Sequence, residues 1–160
     1  MMGQLTDWEG LIRVALAAVL GGIIGIEREL RAKDAGLRTN MLVAMGAALF
    51  TVSSIQLSEF YINWNGSIRF DPSRIISTIV SGIGFLGGAI IFKTEERVRG
   101  VTTAASIWVV TGVGVATGAG FYVMAAGSTV LIVVVLLMVG WIEHRVGFKK
   151  GPVLPEVEDD

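Results

Sequence analysis

The chain has 160 residues, of which 52% are hydrophobic and 17% are charged, and its formal net charge is −1. Soluble domains usually have about 25% charged residues, and here the charges lie between long neutral stretches. The composition therefore predicts an all-α membrane protein with one domain over residues 1–143. The small net charge gives no electrostatic basis for nucleic-acid binding, and the lack of cysteine excludes disulfides and thiol chemistry.

The first predicted span covers residues 8–26 and has Arg13 near its beginning. An arginine at this position either extends to the lipid headgroups or has a buried partner, and the sequence leaves both possibilities open. Gly21 and Gly25 have the spacing that places two glycines on one helix face, where another backbone can approach closely. We therefore predict that Gly21 and Gly25 form a helix-packing or partner contact.

The connection after this span, residues 27–40, is strongly charged. Two pairs of opposite charge stand four residues apart, so the helix is expected to continue into the connection; these pairs are Glu27 with Arg31 and Glu29 with Lys33. Gly36 is expected to end that helix, and Thr39 or Asn40 to cap the next one.

The second predicted span covers residues 41–57 and the third covers residues 74–92. Asp71 is the expected N-cap of the third span, and Pro72 suits its first helical position.

A face of small residues runs along the third predicted span at four-residue intervals. Its members are Ser77, Ser81, Gly84 and Gly88. Small residues in this spacing are typical of close helix packing, either within the chain or with a partner. A pathway lined by serine hydroxyls and bare backbone is the second interpretation.

The fourth and fifth predicted spans cover residues 101–118 and 122–142, with a tight turn between them. Trp108 lies deeper in the fourth span than an interface anchor would, so we expect it in the packed core. Residues 144–160 are short and polar and are expected to form a disordered cytoplasmic tail.

The distribution of basic residues predicts the orientation of the five transmembrane helices. The first and third connections have four and three basic residues, in 27–40 and 93–100, and three more follow residue 142. The alternate connections have fewer, which places the N-terminus outside and the C-terminus inside the cell.

Two predicted helix N-termini, at Thr39 and at Thr102, lie on that inner side with arginines close by, including Arg97 in the third connection. Such termini carry unpaired N–H groups and partial positive charge. The charges either hold the connections together as an ion-pair and capping network, or offer a docking surface for another helix or an anionic group. The residues of this predicted cytoplasmic network are Glu27, Arg28, Glu29, Arg38, Thr39, Arg99, Thr102 and Thr103.

The sequence contains no convincing catalytic, cofactor or metal motif, so no enzyme and no cofactor are predicted. Gly82, Gly84 and Gly87 match a dinucleotide-binding pattern by letter only, because that pattern requires a strand before it. His144 is the single histidine and has no cysteine near it. A small magnesium or ion transporter is the alternative function, although carboxylates, which Mg²⁺ prefers, stand only at span ends.

Three blocks of sequence resemble the signatures of the MgtC/SapB family: residues 21–29 together with 35–39, residues 80–88, and residues 98–108. The resemblance implies five spans in the bacterial inner membrane and links to magnesium limitation, acid stress and virulence. It also implies a non-enzymatic regulator that contacts other inner-membrane proteins, including the F-type ATP synthase. The chain is expected to lack the cytoplasmic C-terminal domain of many members, and its glycine faces favour a homodimer in the lipid bilayer.

Overall fold

The computed structural model describes residues 5–64, 71–93 and 98–146. These ranges contain five helices that are long and apolar enough to cross a membrane, as the sequence predicts. The helices are α1 (Asp7–Leu30), α2 (Leu37–Trp64), α3 (Pro72–Ile90), α4 (Val101–Gly118) and α5 (Tyr122–Val146). Two short antiparallel strands, β1 (Phe92–Lys93) and β2 (Val98–Arg99), lie between α3 and α4 and were not predicted.

Several helix boundaries differ from those expected. Helix α1 ends at Leu30 and not at Gly36, because the backbone turns at Ala32, which has a φ of 50°. Helix α2 begins at Leu37, before the expected caps Thr39 and Asn40. The carboxylate of Glu29 accepts a hydrogen bond from the Leu37 N–H at 2.9 Å, so it satisfies one of the free amides at the start of α2.

The C-terminal boundary also moves, because α5 continues to Val146 and residues 144–146 of the expected tail are helical. Residues 147–160, the rest of that predicted tail, lie outside the described residues. The expected start of α3 is confirmed, since Asp71 is its N-cap and Pro72 is its first residue. The tight turn between α4 and α5 is also confirmed, and Gly120 makes it with a φ of 86°.

Helix α4 is the centre of the bundle and packs against each of the other four helices. Helices α1 and α2 form an antiparallel hairpin beside it, whereas α3 packs mainly on α4 and to a smaller extent on α2. Small and medium apolar side chains build the core, which lets the helix backbones come close together. The main cluster of buried core residues consists of Ala17, Leu20, Ile24, Ala44, Ala48, Val110, Val113 and Ala125.

The alternating helices give the bundle two distinct ends. The ends of α1, α3 and α5 meet the starts of α2 and α4, together with the β1–β2 pair, and we call this the charged end. The opposite end contains the start of α1 and the end of α2, where the Leu5 N–H donates to Glu59 Oε2 at 3.2 Å. Gln56 Nε2 also donates to Asp7 Oδ1 at 3.2 Å there.

Candidate functional site

The last turns of α1 carry two charged side chains into the protein at the charged end. Glu27 is 7% exposed and Arg28 is 3% exposed. Nη2 of Arg28 donates a hydrogen bond to the Thr103 hydroxyl at 2.8 Å, which joins α1 to the first turn of α4. Oε1 of Glu27 lies 2.5 Å from Nε of Arg31, so the predicted Glu27–Arg31 pair forms.

These side chains line a cavity of about 530 Å³ between α1, β2, α4 and α5. Five residues of the predicted cytoplasmic network meet there, although they are distant in sequence. They are Glu27, Arg28, Arg99, Thr102 and Thr103. Arg31 was predicted as the partner of Glu27 but not as part of this network. Gly140 and the other α5 residues of the cavity were missed, because only tertiary packing brings α5 to the end of α1.

The remaining network residues have other positions. Glu29 bonds the start of α2, as described above. Arg38 and Thr39 are residues in the first turn of α2 that do not line the cavity. The expected cap at Thr39 or Asn40 is therefore wrong; instead the buried Asn40 amide donates to the carbonyl oxygens of Ala35 and Gly36, both at 2.8 Å. Arg97 lies outside the described residues.

Gly21 and Gly25 lie at the closest approach of α1 and α2. A Cβ on Gly21 would lie 2.6 Å from the carbonyl oxygen of Asn40 and 2.7 Å from Cβ of Ala44. A Cβ on Gly25 would lie 2.7 Å from Cα of Leu37. Because real Cβ atoms do not approach backbone this closely, this pair holds the two helices in contact only as glycine.

The face of α3 with Ser77, Ser81, Gly84 and Gly88 is largely exposed. A Cβ on Gly84 or on Gly88 would meet no described atom within 4 Å. The two serine hydroxyls donate to backbone carbonyl oxygens of their own helix, Ser77 to Ser73 and Ser81 to Ser77. The expectation of close packing along this face is therefore wrong for the described chain, because α3 packs on α4 through another face, which contains Gly87. Contact of the exposed face with a partner stays a prediction.

A second glycine pair, Gly114 and Gly118 of α4, was missed by the sequence analysis and is deeply packed against α2. A Cβ on Gly114 would overlap the carbonyl oxygen of Ala44, and a Cβ on Gly118 would lie 2.7 Å from that of Ala48. The four-residue spacing was a visible signal. It did not single out α4, because α1 and α3 carry the same spacing.

Arg13 has a partner within the protein at the opposite end. Its Nη1 donates to the carbonyl oxygen of Gly118 at 2.9 Å, and its guanidinium lies 5.9 Å from the ring centre of Tyr122. The side chain therefore holds the free carbonyl end of α4 against α1. Of the two possibilities for Arg13, the structure shows a partner within the protein. Trp108, by contrast, is 55% exposed, so the expectation of core packing for it is wrong.

Comparison with known proteins identifies the family. The model of the MgtC family matches residues 14–145. The chain is 47% identical over 132 residues to protein MgtC of Brucella abortus, covering 80% of this chain and 52% of that protein. It is 36% identical over 148 residues to protein SapB of Bacillus subtilis, covering 92% and 63% of the two chains.

A third relative, from Escherichia coli, is named "Putative magnesium transporter YhiD" and is 40% identical over 128 residues, covering 80% of this chain and 59% of that protein. The chain thus spans about half to two thirds of the length of these relatives. No solved structure matches it. The family match covers most of the five-helix bundle, including the charged end and its cavity, and we conclude that the chain is a membrane protein of the MgtC family.

Proposed function

We propose that this protein is a non-enzymatic regulator that acts through helix contacts with other proteins of the bacterial inner membrane. The exposed small-residue face of α3 carries the proposal. Two other glycine pairs, on α1 and α4, are filled by α2, whereas nothing in the described chain lies within 4 Å of a Cβ on Gly84 or Gly88. Such a face allows a foreign helix to approach as closely as α2 approaches α4.

The proposed orientation has the charged end in the cytoplasm and the N-terminus outside the cell. The basic residues at that end, including Arg31, Lys33 and Arg38, support this orientation through the positive-inside rule. Thiol labelling from one side of the membrane tests it, because the native chain has no cysteine. Arg38→Cys should react from the cytoplasm and Phe121→Cys from the outside. The reverse pattern would show that the chain has the opposite orientation in the membrane.

Photo-crosslinking in native membranes tests the partner contact. A photoreactive residue at Ser81 should capture a membrane protein, and the double variant Gly84→Leu/Gly88→Leu should lose that capture. The F-type ATP synthase, suggested by the family resemblance, and a second copy of this chain are the candidate products to identify by mass spectrometry.

A matched control comes from α5, where a Cβ on Gly127 would also meet no described atom within 4 Å. Gly127→Leu should leave the crosslink intact. Capture of lipid alone from Ser81, or equal loss with both variants, would contradict the proposed contact.

An ion transporter is the second candidate function, because one relative is named "Putative magnesium transporter YhiD". Within the described ranges, no group of three or more histidine, aspartate or glutamate side chains could hold a metal ion. Mg²⁺ flux into liposomes that contain only the purified chain distinguishes the two candidates. Flux above that of empty liposomes would favour the transporter over the regulator.

A further inference from the structure

The cavity at the charged end has an excess of positive charge and is built from four elements. Four basic side chains line it, and two acidic ones oppose them. The basic residues are Arg28, Arg31, Lys33 and Arg99, and the acidic ones are Glu27 and Asp34. A concave site with this balance attracts an anionic group.

The N-terminus of α4 opens into the same cavity. Gly100, with a φ of 85°, is the N-cap of this 18-residue helix, and no side chain caps the first amides of the helix. Residues 100–103 all line the cavity, so the free N–H groups and the positive end of the helix dipole lie at its wall. Uncapped amides of this kind bind water or a ligand, and the positive end of the helix dipole favours an anionic ligand.

Arg28 gives an independent indication of a ligand. This residue is only 3% exposed and donates to Thr103, but its Nε has no hydrogen-bond partner among the described residues. A buried cation with an unfilled donor is costly unless an anion pairs with it. Oε2 of Glu27 is also buried and lacks a hydrogen-bond partner in the described chain, so the bound group should present a donor to it.

The far wall of the cavity is apolar and continues onto the outer surface of α5. Leu136 is half-buried there, whereas Val135 and Val139 are about half exposed. Gly140 lies beneath the Arg31 guanidinium, where a Cβ would collide with it, so α5 comes close to the basic side chains. A cavity that is basic at one end and apolar at the other suits a charged headgroup with an acyl chain.

We infer that this cavity binds a phosphoryl group, held by Arg28, Arg99 and the first amides of α4. The group comes from an anionic phospholipid headgroup or from free inorganic phosphate. A phospholipid with a phosphoglycerol headgroup matches both the polar and the apolar walls of the cavity. Its headgroup hydroxyls can donate to Glu27, and its acyl chain can lie along α5. The inference adds a ligand to the proposed function and does not depend on it.

Binding to the delipidated full chain in detergent tests the inference, with native mass spectrometry and thermal unfolding as readouts. The probes are a phosphatidylglycerol, a phosphatidylcholine of the same chain length, and inorganic phosphate. Phosphatidylglycerol should bind at least tenfold more tightly than phosphatidylcholine and raise the unfolding temperature. Displacement of phosphatidylglycerol by millimolar inorganic phosphate would assign the site to free phosphate.

Three variants locate the site. Arg28→Gln should weaken phosphatidylglycerol binding by tenfold or more, and Arg99→Gln, which is exposed and should fold normally, by about threefold. Arg38→Gln is the matched control, because Arg38 is at the same end but does not line the cavity. Equal binding of both lipids without any phosphate binding, or the same affinity for Arg99→Gln and Arg38→Gln, would overturn the inference.

Discussion

Helices α3 and α4 are of nearly equal length and each carries a pair of glycines four residues apart, yet the two pairs have opposite surroundings. Gly114 and Gly118 of α4 lie against the backbone of α2, whereas Gly84 and Gly88 of α3 have open space in the described chain where a Cβ would lie. The spacing of small residues indicates that another backbone can approach a helix face closely. This spacing does not indicate whether the approaching backbone belongs to the same chain.

Helices α4 and α3 also differ in how much of their surface other helices of the described chain cover. Helix α4 is enclosed by four helices, and at its start Arg28 anchors it through Thr103 while at its end Arg13 anchors it through Gly118. Helix α3 is held mainly by α4 and is largely exposed. The proposed regulation by helix contact would use this exposed face of α3.

The largest expected effect comes from adding one methyl group to the packed pair. Gly114→Ala should lower the free energy of unfolding by about 1–3 kcal/mol, because the new Cβ overlaps the Ala44 carbonyl and α2 must shift. Denaturant unfolding in detergent micelles measures this loss.

Two control variants add a methyl group to glycines that have open space around them in the described chain. Gly112→Ala on α4 and Gly84→Ala on α3 add the same methyl group where no described atom lies within 4 Å. Both should leave the stability unchanged or raise it by up to about 1 kcal/mol, since alanine favours helix more than glycine. An equal loss for Gly84→Ala and Gly114→Ala would remove the distinction between the two helices.

A smaller effect is expected from the anchor at the end of α4. Arg13→Met should lower the unfolding free energy by about 1–2 kcal/mol, because the Gly118 carbonyl loses its charged donor and Tyr122 loses its cation. Thermal unfolding in detergent measures the change. Arg74→Met, at the exposed start of α3, is the control and should change the unfolding free energy by less than about 0.5 kcal/mol. A larger loss for Arg74→Met than for Arg13→Met would contradict the anchoring role of Arg13.

The smallest effect is expected at the start of α3, where Asp71 is the N-cap. Hydrogen bonds from the Ser73 hydroxyl and the Ser73 backbone N–H hold the pKa of the Asp71 carboxyl below its ordinary value. The charged cap therefore contributes its full stabilisation above the ordinary aspartate pKa and loses it as the pH falls through the lowered pKa.

The Ser73 amide resonance in an NMR pH titration reports this change. In the native chain it should shift in acid, with a midpoint below that of an unstructured aspartate. In Asp71→Asn, which keeps an accepting oxygen but cannot titrate, the shift should disappear. A midpoint at or above the ordinary value would mean that the cap does not favour the charged form.

The family resemblance and the five apolar helices were visible in the sequence, and both are confirmed. The cap at Asp71 and the pair Glu27–Arg31 were also predicted, because each depends on neighbours within four residues. The expectations for Thr39 and Trp108 failed, and the α3 face does not pack closely within the described chain, whereas its contact with a partner stays a prediction. Each of them depended on which other segment lies beside the residue.

Long apolar runs and turn residues act locally, so the number of helices, most of their approximate extents and the grouping of charges followed from the sequence. The packed structure was needed to show which glycine pair contacts another helix, which arginine is buried, and that α5 closes the cavity beside Arg28. In α2, α4 and α5 the polarity differs little from one helix face to another. Close packing, which depends on the shapes of distant segments, therefore chooses between faces that hydropathy does not distinguish.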